Sequence, residues 1–188
     1  MTPIFVLSYP RSRTAWLSCY LTGAGVPCFH EAWKYVEHVK ELRVIMEAKC
    51  APVVVNSDCS NVFFLPELQA EFPEARYVKI VNDPASVVAS LNDSYGRHDY
   101  HDMLACYDEA YQYPVDVAVT VDWSEPSMFA LWELVGNGQP FDQQWYDQMH
   151  GMLVQLMPWQ IEADIEACRR HEQDHITRAM ARWRTTWA

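Results

Sequence analysis

Four consecutive side chains near the start of the chain, Arg11-Ser12-Arg13-Thr14, combine two guanidinium groups with two hydroxyl donors. They follow the continuous apolar run Ile4-Phe5-Val6-Leu7 and precede a helical pattern that starts at about Thr14. A strand that runs through a loop into a helix start is an anion-binding arrangement. Unpaired backbone N–H groups and the positive end of the helix dipole converge there. The residues therefore point to phosphate or sulfate, against the plainer reading of two solvated loop arginines. The loop is not a Walker A sequence: both glycines of G-x-x-x-x-G-K-[ST] are missing and no Lys precedes the Ser/Thr. An ATPase or kinase of the ordinary P-loop kind is thereby disfavoured.

The stretch Pro10-Arg11-Ser12-Arg13-Thr14-Ala15-Trp16-Leu17 resembles the P-[RK]-S-G-[TS]-[TS]-W-L loop of sulfotransferases that use 3′-phosphoadenosine 5′-phosphosulfate. A second stretch, Arg76-Tyr77-Val78-Lys79-Ile80-Val81-Asn82-Asp83-Pro84 continuing to Ser90 and Leu91, is similar to that family's strand–R-[DN]-P–helix–S element. The resemblance covers residues 4–92. It implies sulfuryl transfer from that donor to a hydroxyl or amine of a small-molecule acceptor, without a metal. It also implies roles for single residues. Arg11 would stand at the bridging oxygen and sulfuryl group, making it catalytic as well as donor-binding. Ser12, Arg13, Thr14 and Ala15 would hold the 5′-phosphate, Trp16 would stack on the adenine, and Asn82 and Ser90 would meet the 3′-phosphate. Two positions depart from the family pattern: Arg13 replaces its loop Gly, and Asn82 replaces its Arg, losing a charge-assisted contact. No Arg-Lys-Gly segment follows, and the expected replacements are Arg97 or the tail arginines 169, 170, 178, 182 and 184.

An acceptor hydroxyl needs a base. His30 and Glu31, after the second strand, are the catalytic candidates, while Glu31 also suits a helix's first turn, where a carboxylate complements the dipole. Asp58 is the reserve, beside its reading as a turn-forming residue. His171-Glu172-Gln173-Asp174-His175 matches H-E-x-x-H but has no third ligand after it. His98 to Asp102 reads more simply as a polar helix start than as an ion site. The alternative to an enzyme is a catalytically degenerate member of the fold that binds a nucleotide or a partner protein. Asn82 and the short chain favour that reading; Arg11, Thr14, Trp16 and Ser90 oppose it. A nucleotide kinase stands third, for want of the Walker Lys.

These residues must be positioned by alternating elements. Short apolar runs at residues 4–7, 26–29, 53–55, 77–81 and 117–121 read as strands buried on both faces. Helical spacing recurs at residues 31–48, 65–71, from Pro84, and at 98–112, 126–135, 141–156 and 159–183. The expected fold is a three-layer α/β domain with a mostly parallel, about five-stranded sheet and a helical C-terminal part. The resemblance makes it P-loop nucleotide-kinase-like. One domain is expected over residues 1–188, with 126–188 mainly helical. Trp123, Trp132, Trp145 and Trp159 lie in apolar stretches and read as core.

Composition bounds the partners. The 188 residues carry a net charge of −11, distributed as −1 over residues 1–97, −13 over 98–168 and +3 over 169–188. A middle segment without one Lys or Arg cannot coat a phosphate backbone, so nucleic acid is an unexpected partner. No apolar run is long enough to span a bilayer, and the N-terminus lacks the basic start of a signal peptide. The six scattered cysteines read as reduced thiols, and the expected location is cytoplasmic.

Overall fold

The computed structural model of the chain describes residues 1–95, 99–110 and 112–152. Five strands, β1 (Thr2–Ser8), β2 (Cys28–His30), β3 (Val53–Ser57), β4 (Arg76–Val81) and β5 (Val117–Thr120), form one sheet in the order β2-β3-β1-β4-β5. Every pairing is parallel. The helices are α1 (Thr14–Gly23), α2 (Val39–Glu47), α3 (Leu65–Glu71), α4 (Pro84–Tyr95), α5 (His101–Ala110), α6 (Glu125–Val135) and α7 (Gln143–His150). This is the three-layer α/β architecture with a parallel five-stranded sheet expected from the alternation of strands and helices.

The central strand shows why the sheet needs two covers. Successive side chains of a strand point to opposite faces. Ile4 and Val6 enter a core with Trp16, Leu17 and Tyr20 of α1, Leu131 and Val135 of α6, and Tyr146 of α7. Phe5 and Leu7 enter the other core, with Leu42 of α2, Leu68 of α3, Val87 of α4 and Tyr107 of α5. With both faces covered, all polar traffic of β1 is pushed to its ends. The chain turns one way from β1 to β3 and β2, and the other way to β4 and β5. The carboxyl end of β1 therefore lies at the switch point where open α/β sheets hold ligands.

Some boundaries moved. The helix expected over residues 31–48 is two pieces: a 3-10 turn at Ala32–Lys34, then α2. Glu31 has a left-handed backbone, with φ of 54°, and the 3-10 turn after it ends at Lys34, short of α2. His38 re-enters at φ −132°, and Glu41 Oε2 accepts from its N–H at 3.3 Å and from Glu37 N–H at 2.7 Å. β2 starts two residues late because Pro27 has no N–H to give; its carbonyl still accepts from Val55 N–H at 2.9 Å. The stretch after β3 is a six-residue 3-10 helix, Cys59–Phe64, anchored by the buried Asn61, whose amide donates to Val6 O at 3.0 Å. The helical readings at 159–183 lie outside the described residues.

Candidate functional site

The loop after β1 is built from strained backbone. Arg11 and Arg13 both adopt left-handed φ, 63° and 58°. That region is unfavourable for residues other than Gly, so neighbouring structure must hold them there. Arg13 thus reaches the geometry of the missing loop Gly at a conformational cost. Of six non-Gly residues at positive φ among the described residues, four stand at carboxyl ends of strands: Arg11 and Arg13 after β1, Glu31 after β2 and Trp123 after β5. Strain of this kind gathers where a backbone is shaped for a task.

Two remote segments meet on this loop. Arg11 Nε donates to Ser90 Oγ on α4 at 3.1 Å, and Asn82 Nδ2 donates to Ser12 Oγ at 3.1 Å. Both hydroxyl oxygens are thereby used as acceptors, which leaves their O–H groups as donors. Ser12 is fully buried, and its side chain ties the loop to the end of β4. Thr14 and Ala15 are half-buried at the helix start, and Ser57 Oγ of β3 donates to Thr14 O at 3.0 Å. Arg13 forms no side-chain cap, and the first turn of α1 holds no acid. Each other described helix carries its own carboxylate at its start. These are Glu41 in α2, Glu67 in α3, Asp83 before α4, Asp99 and Asp102 at α5, Glu125 in α6 and Asp142 before α7. The open dipole end and two guanidinium groups coincide at α1.

Trp16 requires a correction. It is fully buried, stacked between Tyr20 and Trp123 with both ring centroids at 5.3 Å, and its Nε1 donates to Met149 O at 2.8 Å. With both faces occupied it offers none to an adenine. The Trp before the helix's second turn is core because α1 lies on the sheet with that edge inward. The Arg13 guanidinium sits 5.0 Å from the Trp16 ring centroid, and Arg13 Nη2 donates to Met152 O at 3.4 Å. Burial lowers the basicity of Arg13, and the Asp122 carboxylate opposes that shift.

Asn82 is fully engaged. Besides the bond to Ser12, its Oδ1 accepts from Asp83 N–H at 2.9 Å. Asp83 then caps α4, accepting from Ser86 N–H and Ser86 Oγ, both at 3.0 Å. Those two donors hold its carboxyl below the usual range. A second phosphate brought to this turn would meet a carboxylate where the resemblance implied a cation. Arg97 and the tail arginines 169, 170, 178, 182 and 184, like the H-E-x-x-H stretch, lie outside the described residues.

His30 and Glu31 lie at the end of β2, two strand spacings or about 10 Å from β1. His30 Nδ1 is 3.1 Å from Ser57 O, a contact in which the ring must donate, so Nε2 is left facing Glu31 Oε1 at 3.6 Å. Glu31 Oε2 pairs with Lys34 Nζ, a partner that the sequence reading missed. Asp58 is 1% exposed, with Oδ1 accepting from Ser60 N–H at 2.8 Å and Oδ2 from Trp33 N–H at 3.3 Å. It is the turn-forming residue rather than a reserve base. Asp99 accepts from His101 N–H at 2.9 Å, as a helix start does.

No family model matches the chain, and no curated protein matches it. Among solved structures, a gluconokinase from Sinorhizobium meliloti 1021 is similar over 72% of this chain and 94% of its own, at 16% identity and a TM-score of 0.48. The sulfotransferase resemblance is corrected accordingly. A matching solved structure is a gluconokinase and not a sulfotransferase, and the described turn at Asn82-Asp83 holds a carboxylate where a 3′-phosphate needs a cation. Sulfuryl transfer and 3′-phosphoadenosine 5′-phosphosulfate as donor are not retained.

Proposed function

We propose that this chain is a nucleotide-binding module that holds a phosphate chain on the loop between β1 and α1. In this reading the backbone of Ser12, Arg13, Thr14 and Ala15 and the Arg11 guanidinium grip the phosphate. Asn82 and Ser90 fix the loop from the side. His30 and Glu31 stand toward a second, small-molecule partner. One observation carries the proposal: the α1 start is the one described helix start without a carboxylate, and side chains from the end of β4 and from α4 brace the loop before it, Asn82 donating to Ser12 and Ser90 accepting from Arg11. The fold supports the reading, because phosphate binding at the carboxyl end of the first strand suits this sheet order. The reading stops at binding, since the loop has neither the Lys nor the glycines that serve phosphoryl transfer in Walker A proteins.

No described helix is long and apolar enough to cross a membrane. The described cysteines 19, 28 and 50 are free thiols, which supports a cytoplasmic location as part of the same proposal.

Calorimetric titration with pyrophosphate, ATP, AMP and adenosine tests the proposal. Pyrophosphate and ATP are expected to bind, adenosine is not, and Arg11→Ala is expected to weaken both by at least about tenfold. Adenosine binding as tightly as ATP, or no response to pyrophosphate, would sink the reading.

A further inference from the structure

A cavity of about 530 Å³ lies at the amino ends of β4 and β5, with Gln69, Phe72, Pro73, Tyr77, Tyr113 and Pro114 in its lining. That volume falls within the roughly 300–1,000 Å³ of small-molecule sites. Tyr77 is 6% exposed, and its hydroxyl has no hydrogen-bond partner among the described residues. A buried O–H without a partner is uncommon, because the water it gave up has not been replaced. Burial first, then Tyr113 and the Asp116 carboxylate, push the phenol up, so Tyr77 keeps its proton and stands as a donor.

We propose that this cavity binds an uncharged, planar aromatic molecule carrying a hydrogen-bond acceptor for the Tyr77 hydroxyl. The walls set the shape. Tyr77 and Tyr113 meet with ring centroids 5.2 Å apart and an interplanar angle of 73°, which makes a corner. A flat ring fits such a corner face-on to one wall and edge-on to the other. The surrounding charges set the neutrality, because they are already paired. Asp116 Oδ1 accepts from Arg76 Nε, and its Oδ2 accepts from Tyr77 N–H at 2.7 Å. Arg43, 4.2 Å from the Phe72 ring centroid, is held by Glu71 and Glu74 at 2.9 and 3.2 Å. None of these groups is left for a charged ligand to neutralise. The site is also separate from the loop after β1: Tyr77 pairs with Phe5, three residues before the carboxyl end of that strand at Ser8. The proposal therefore does not depend on what the loop binds.

The test is a ligand-observed NMR titration of the full chain with two probes of one shape. Quinoline has a ring nitrogen that accepts, and naphthalene has no acceptor. Quinoline is expected to bind wild type saturably. Tyr77→Phe deletes only a hydroxyl without a partner, so the fold is kept. That variant is expected to weaken quinoline by about tenfold and to leave naphthalene unchanged. Tyr113→Ala removes one wall of the corner and is expected to weaken both probes by at least about fivefold. The proposal is overturned if quinoline does not saturate wild type, or if Tyr77→Phe leaves its affinity unchanged. An equal loss of both probes in Tyr77→Phe would overturn it as well, since the hydroxyl would then act on packing and not on the acceptor.

Discussion

The starts of α1 and α4 differ in a way that their sequences only half reveal. Both follow a strand of the same parallel sheet, and both carry a Pro close by, Pro10 in the loop and Pro84 at the first helical position. At α4 the helix supplies its own anion: Asp83 accepts from Ser86 N–H and Oγ and neutralises the dipole end. At α1 no side chain does so, and Arg11 and Arg13 stand in left-handed backbone around the opening. A closed helix start is stable by itself. An open one beside two guanidinium groups leaves donors that favour an external anion. Under the proposed reading, the same contrast puts phosphate at α1 and not at α4.

Closing the open start should have the largest effect. Ala15→Glu keeps every donor of the loop and adds a carboxylate to the first turn of α1. Phosphate affinity is expected to fall by at least about tenfold through like-charge repulsion. Stability is expected to rise by about 0.5 kcal/mol through the helix dipole. Tighter phosphate binding with the added carboxylate would break the contrast. Opening the closed start gives the converse. Asp83→Ala should cost about 1 kcal/mol for the lost cap, a drop of about 3 °C in Tm, and should create no second phosphate site. Two phosphates per chain in the calorimetric stoichiometry would show that a bare helix start suffices without arginines.

Smaller changes refine the link between the two regions. Asn82→Ala removes the bond to the buried Ser12 hydroxyl, and phosphate affinity is expected to fall about threefold while the fold is kept. An unchanged affinity would show that the β4–α4 turn does not position the loop. The inner face of α1 is read by pH. Burial first, then the Asp142 carboxylate and Tyr146, push the Tyr20 phenol up to about 12. In the unfolded chain it ionises near 10, so the folded state holds a proton that the unfolded one has lost. The contribution of Tyr20 is therefore present below pH 10 and lost as pH rises toward 12. Tyr20→Phe should flatten that alkaline decline in urea-melting midpoints. An identical decline in the variant would place its origin elsewhere.

How far these regions were legible follows from the range of the forces involved. The central strands read out as apolar runs because both faces of the sheet are buried there, while β4 carries Lys79 and the edge strand β5 leaves Ala118 and Thr120 exposed. β1 and β3 are the clearest instances, with Val6 and Val54 fully buried. The phosphate loop was legible because strand, cation, hydroxyl and helix start are consecutive. Glu31 was read as opening a helix, and a left-handed φ turned it into a break that no residue type announces. The Trp16 position illustrates the other failure. A Trp at a helix start is compatible with stacking on a ligand base or with filling a core, and only its packing on Tyr20 and Trp123 decides.

The motif at Asn82 carries the main lesson about resemblance. Its spacing from the first loop was right, and the two segments do meet, through Arg11–Ser90 and Ser12–Asn82. Their meeting is consistent with several ligands, because a local motif records which backbone shape is built rather than which charge is bound there. The charge is set by what lies beside it in space. Here that is Asp83, at the start of α4.

By itself the sequence determined the alternation of elements and the class of fold. These follow from burial periodicity within a few residues of chain. The tertiary structure alone decided that Trp16 is core, that the α4 start is closed by its own Asp83, and that Lys34 pairs with Glu31. Each of these depends on how strands order across the sheet, and parallel neighbours are joined by crossovers too long for local spacing to register.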